Sequence, residues 1–323
     1  MNSTELRYDQ RPLGQTGLMV SSLALGTARW RSTGDRTASA DERRQLFERV
    51  AQGTGADQQI AVIDTANSYG DSEQLIGGLV DAYGGLPDRV LLQTKADRDF
   101  GSGDFSGARM RRSLQESLDR LGLTSLPMVY IHDPENTTWD SAMATDGPVA
   151  ALVRAKEQGL IDHLGLSGGP VGLMERYLRT GLFEALITHM RYTLVDRSAD
   201  RLLTVAAELG IGVFNAAPYG GGLLTRWPAT TRRYAYGDGN PELLAAADAM
   251  GRLCADQRIP LAAAALQFSL RDPRITSTIV GMLSVADLDA TIDLAAMELP
   301  AALWSELDQL LPPRRTWQDA DEL

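Results

Sequence analysis

Four polar side chains stand where short apolar runs give way to loops: Asp64 in IDTANSYGDSE, Tyr69 in the same segment, Lys95 in LLQTKAD and His132 in VYIHDPE. A phenol beside an ammonium suits acid/base work at a carbonyl. Hydride addition to the carbon leaves an alkoxide, and a proton must arrive as that charge develops. Free tyrosine titrates near ~10, too high for easy exchange in both directions, and an adjacent cation is expected to lower it. Lys95 would supply that cation, Asp64 would keep Lys95 charged and fixed, and His132 would donate to the substrate oxygen or relay the proton. Singly, each has a plainer reading as a helix cap, packing or a solvated charge. Their joint placement at strand ends is what points to chemistry. The chain has two further histidines, and His163 falls at the start of a strand candidate, away from the others.

Residues so far apart in sequence converge only if their strands open onto one mouth. Apolar runs at 23–25, 60–63, 90–93, 128–131, 163–166, 185–188, 212–215 and 278–280 alternate with amphipathic stretches such as 41–51, 108–121, 147–158 and 242–257. Alternation of this kind describes a parallel sheet wrapped in helices, and eight strands can close on themselves. The fold expected is α/β, a single (β/α)8 TIM barrel over residues 1–323. The segment RPLGQTGLMVSSLALGT predicts an N-terminal β-hairpin that caps one barrel mouth. An extra C-terminal helix is expected over 299–310, with a loose acidic tail over about 312–323.

Composition narrows the partners. Thirty-one Lys and Arg against 42 Asp and Glu leave a formal charge of −11, which repels phosphate backbones, so no nucleic acid is expected. The single cysteine, Cys254, excludes an intramolecular disulfide and a cysteine metal cluster, and it fits a reducing, cytoplasmic setting. The opening MNSTELRYDQ lacks a signal-peptide core and no apolar run is long enough to span a bilayer, so neither export nor a membrane partner is expected. No metal site is expected, and oligomeric state is open.

IDTANSYGDSE, LLQTKAD and VYIHDPE resemble the signature segments of the aldo-keto reductase superfamily, and the likeness runs from RPLGQTGLMVSSLALGT to IVGMLSVADLD. Matched position by position, Asp64, Tyr69, Lys95 and His132 fall on that family's catalytic tetrad. HDPE, RYTLVDR and NAAPYGGGLL are most similar to the branch of D-threo-aldose (L-fucose) 1-dehydrogenases and pyridoxal dehydrogenases. The resemblance implies hydride transfer between a nicotinamide cofactor and a carbonyl or alcohol of a sugar or small aldehyde. It also implies a dinucleotide laid across the barrel mouth at Gly26, Thr27, Asp64, Ser167, Gly168, His189, Ala217, Pro218, Tyr219, Gly221, Gly281, Leu283, Ser284 and Asp287. Three positions depart from the commoner family pattern: Gly168 replaces an asparagine, His189 a glutamine and Ala216 a ring-stacking tyrosine, so carboxamide recognition and nicotinamide stacking are achieved differently or His189 substitutes for one of them.

The glycines at 220–222 offer backbone N–H groups to a pyrophosphate. Leu283 and Asp287 match positions where NADP-dependent relatives carry Arg or Lys. Asp287 would repel a 2′-phosphate and could accept from a free 2′-hydroxyl, so NADP(H) follows from the family and NAD(H) from these two residues. Trp30, Trp139 and Tyr219 are candidate substrate walls, with ordinary packing an equal alternative. Two other readings keep the barrel: a slow, cofactor-binding regulatory subunit, and a metal-dependent hydrolase or a Schiff-base aldolase using Lys95.

Overall fold

The computed structural model describes residues 10–31, 38–53 and 60–322. Residues 1–9, read above for a signal peptide, lie outside the described residues. Each of the eight apolar runs forms one parallel strand: β1 (Leu23–Gly26), β2 (Ile60–Asp64), β3 (Leu91–Ala96), β4 (Leu126–His132), β5 (Ile161–Gly168), β6 (Ala185–His189), β7 (Gly212–Ala216) and β8 (Ser277–Gly281). They pair in sequence order and β8 closes onto β1, giving a closed barrel. Observed strands reach further toward their C-terminal ends than the apolar runs do, because the last residues of β2, β4 and β6 are polar groups that face the mouth.

Strand alternation divides the apolar residues between two cores. Ala24, Val62, Met128, Tyr130, Ile187, Phe214 and Ile279 fill the barrel interior. Their outward neighbours, such as Ile63, Val129, Ile131, Leu186 and Val213, pack beneath the helices. At several helix starts a side chain takes up a free N–H group. Ser39 and Glu42 form a capping box at Ala40–Gln52, and Ser106 caps Gly107–Leu121.

The expected hairpin is present, with Gln10–Pro12 paired to Met19–Ser21. Its turn lies at the base of the barrel, where Leu13 and Val20 are buried in the interior core. Gly14, at φ +53°, abuts the backbone of Gly210 and Gly212, an approach that leaves no room for a side chain. His163 pairs with Glu184 near the start of β5, remote from the mouth as expected. Among the described residues no helix is long and apolar enough to cross a membrane.

The carboxyl-terminal region differs from expectation. The extra helix is there at Ala301–Asp308, but the residues beyond it are docked rather than loose. Pro312, Thr316 and Asp319 are buried, and Asp319 pairs with Arg191 at 2.6 Å. Polar composition suggested solvent; the polar groups in fact face partners on the barrel.

Candidate active site

The last inward-facing residue of each strand lines one cavity: Gly26, Asp64, Lys95, His132, Ser167, His189, Ala216 and Gly281. Register brings them level, with Gly26 opposite Asp64, His132 opposite Ser167, His189 opposite Ala216 and Gly281 opposite Gly26. The cavity measures about 770 Å³, and loop residues Arg29, Tyr69, Arg98, Phe100, Asp133, Met190, Ala217 and Tyr236 complete it. It lies at the C-terminal ends of the strands, the face on which barrel enzymes carry their chemistry.

Lys95 and Asp64 form a buried ion pair, 2% and 5% exposed, with the ammonium 2.9 Å from both carboxylate oxygens. The ammonium also donates to the Thr65 carbonyl at 2.7 Å. Burial alone would discharge Lys95; the charges and hydrogen bonds of Asp64 and Tyr69 together outweigh it and hold the lysine pKa well above its ordinary value. Asp64 is braced in turn by Gln93, whose amide donates to it at 2.9 Å and accepts from the Tyr130 hydroxyl at 2.9 Å. Thr27 is fully buried and its hydroxyl donates to the Asp64 carbonyl at 2.8 Å, so its side chain supports the site from behind.

Tyr69 reaches the cavity from the loop after β2. That loop is pinned by Ser68 N–H donating to Asp97 and by Asn67, which is bound to Arg109 and to the helix Gly107–Leu121. The Lys95 ammonium lies 4.7 Å from the centre of the Tyr69 ring. Its attraction favours the phenolate as expected, but burial acts more strongly in the other direction, and the phenol is pushed up to about 12. The expectation that Lys95 brings tyrosine below its ordinary value is corrected: without a ligand Tyr69 is a firmly protonated acid.

His132 stands edge-on to Tyr69, ring centres 6.1 Å apart. Its Nδ1 is 2.6 Å from Asp97, a buried carboxylate that sequence reasoning passed over. Burial disfavours the charged ring, and Asp97 overrides it, so the His132 pKa lies above its ordinary value while that of Asp97 is held below its own. With Nδ1 engaged, Nε2, which lies 3.7 Å from Asp133, beyond hydrogen-bond distance, is the nitrogen left for a ligand oxygen. His189, by contrast, is driven down to about 3 by burial and by the neighbouring cations Arg191, His132 and Lys95, so its ring is neutral and can both donate and accept.

Of the remaining positions expected to touch a cofactor, Gly26, Ser167, His189, Ala217 and Gly281 line the cavity. Gly168 lies beside it, where a side chain would strike Met174 and Glu135. Pro218 and Tyr219 lead into the glycine loop, but the hairpin Arg233–Tyr234 with Gly237–Asp238 sits on that loop. Tyr234 fills the space at Gly220, and the Ala235 carbonyl faces Gly221. Leu283 is corrected: its side chain is 5% exposed, is packed in the helix-facing core and is not among the residues lining the cavity. Asp287 accepts from the Leu283 N–H at 2.9 Å, and Ser284 caps the helix Val285–Ala296. The aromatic walls are corrected as well, since Trp30 is fully buried on the Met282 carbonyl and Trp139 packs against Tyr177. Phe100 and Tyr236, exposed on loops without periodic pattern, are the aromatics at the mouth, and Tyr236 lies 5.8 Å from the His189 ring.

Residues 22–312 match the model of the Aldo/keto reductase family. The chain belongs to this family. It is therefore an oxidoreductase, an enzyme of the class its cavity suggests. Among its relatives are D-threo-aldose 1-dehydrogenase of a Pseudomonas species, 30% identical across 90% of this chain and 94% of that protein. L-galactose dehydrogenase of Arabidopsis thaliana is 29% identical across 96% and 97% of the two chains. Among solved structures, an aldo-keto reductase from Bacillus halodurans in its holo form superposes with a TM-score of 0.74 at 22% identity, over 94% of this chain and 96% of that one, a likeness of fold.

Proposed function

We propose that this aldo-keto reductase transfers a hydride between a nicotinamide dinucleotide and the carbonyl or alcohol carbon of a sugar or small aldehyde, with Tyr69 as general acid and base. The observation that carries the proposal is the placement of a half-buried, protonated phenol between the Lys95–Asp64 pair and the Asp97–His132 pair at one cavity wall. In the reducing direction Tyr69 hands its proton to the developing alkoxide, while His132 Nε2 donates to the same oxygen. In the oxidising direction the Lys95 charge stabilises the phenolate that must accept the alcohol proton.

The cavity suits a nicotinamide. Ile187, Ala216 and Ile279 give an apolar floor, and Ser167 and neutral His189 supply the polar contacts a carboxamide needs. A side chain at Gly281 would project into open space, so its absence keeps the approach clear. Bound there, the dinucleotide would supply or accept the hydride. Its volume lies within the range of about 300–1,000 Å³ that small-molecule sites occupy.

The named activities of two relatives make aldoses the first substrates to test. The family supports NADP(H). Asp287 still argues for NAD(H), although the burial of Leu283 removes half of that case. A regulatory, catalytically slow role is disfavoured by the completeness of the two charge relays, and a Schiff-base role by the locked, charged state of Lys95. Fluorescence titration with NADPH and NADH, followed by a screen of aldoses and aldehydes using the tighter dinucleotide, tests the proposal. Turnover of at least one carbonyl or sugar is expected; tight binding without oxidation or reduction across the panel would mark a sensor instead.

A further inference from the structure

The docked tail reaches the loops that follow Ser167 and His189. Asp319, 8% exposed, accepts from Arg191 at 2.6 and 3.1 Å, a two-point pairing, and also from the Val171 backbone N–H at 3.1 Å. Val171 opens the helix that follows β5, four residues beyond Ser167, and Arg191 lies two residues beyond His189 at the end of β6. One carboxylate therefore joins the two loops leaving β5 and β6.

The space between those loops is filled by the Arg191 guanidinium. It rests so closely on Gly169 that a side chain there would meet it at 2.8 Å, and it donates to the His189 carbonyl at 3.4 Å. Between His189 and Arg191, Met190 sits at φ +57°, a left-handed conformation that a non-glycine residue keeps only when its surroundings hold it. The Tyr234 hydroxyl on the Met190 carbonyl, at 2.7 Å, is one restraint, the Met190 N–H donating to the Ala216 carbonyl at 3.2 Å is a second, and the Arg191–Asp319 pair is a third.

We infer that Asp319 is a positioning residue for the nicotinamide end of the site, fixing through Arg191 the separation of Ser167 and His189. The inference rests on the nicotinamide reading given above. It makes the carboxyl-terminal tail part of the binding apparatus without any tail residue touching the ligand.

The test compares two ligands on the full-length Asp319→Asn chain. One is the preferred reduced dinucleotide; the other is ADP-ribose, or its 2′-phosphate if NADPH is preferred, which lacks the nicotinamide. Dinucleotide affinity should fall about tenfold, the scale of one lost charge-assisted hydrogen bond, while ADP-ribose affinity stays put. Arg191→Lys should give the same split, because an ammonium cannot reproduce the two-point pairing. Equal losses for both ligands would reduce Asp319 to a general stabiliser and overturn the inference, as would no loss for either. If the unsubstituted chain binds neither dinucleotide, the nicotinamide reading falls first and takes this inference with it, before any variant is compared.

Discussion

Asp97 separates charge from position at the site. Its carboxylate raises the His132 pKa above the ordinary value, so the pair stabilises the fold fully below about 6.5 and loses that contribution as pH rises through the higher folded value. Asp97 itself is depressed, and its contribution is lost only as pH falls below the ordinary carboxylate range. Asp97→Asn should therefore flatten the decline of unfolding free energy as pH rises above about 6.5, as read by urea melts at several pH values. A decline as steep as in the parent would assign the proton to another group. Lys95→Met should be harsher: it strands Asp64 in the interior and should cost about 3–5 kcal/mol in the same assay, along with most of the activity. That Asp64, Lys95, His132 and the loop residue Tyr69 meet at one mouth was legible because their types and positions agree with one chemistry. Asp97 shares the strand face of Lys95 and could have been found by alternation, but an aspartate ahead of a loop reads equally well as a turn residue. The direction of the Tyr69 shift was not legible, since it depends on how far burial outweighs Lys95.

At the level of elements, the floor of the site depends on a missing side chain. The Tyr130 ring occupies the space where a Gly165 side chain would lie, and from there its hydroxyl orients Gln93 and thus Asp64. Gly165→Ala should destabilise the chain by about 1–3 kcal/mol and lower turnover, because Tyr130 must move. Gly78, exposed in the helix Ser72–Tyr83 with open space around it, is the contrasting case: Gly78→Ala should stabilise by about 0.4–1 kcal/mol and leave turnover unchanged. Thermal or chemical melts of the two variants should move in opposite directions, and a shared direction would refute the packing argument. Strands and helices were legible to within a few residues because both kinds of periodicity are strong here. The mouth hairpin bearing Tyr236 was not, since strands of two residues have no period to detect. Leu283 was misplaced because the match to relatives gives position along the chain, not the direction of the side chain.

For the whole molecule, closure of the barrel brings eight strand ends together, the N-terminal hairpin seals the opposite end, and the tail ties two loops at the mouth. Alternating patterns in the sequence announced the closure. Docking of the tail went unread because it depends on a single carboxylate meeting an arginine 128 residues away, which no local pattern encodes. The proposed function makes Tyr69 the group that moves the proton. The most direct measurement is single-turnover oxidation of the bound reduced dinucleotide by a saturating carbonyl substrate, in the parent and in Tyr69→Phe. The variant loses one hydroxyl, so its dinucleotide affinity and melting temperature should match the parent while its rate falls by about 10²–10⁴-fold, the contribution of a positioned general acid. A Tyr69→Phe chain that turns over at the parental rate would contradict the assignment outright.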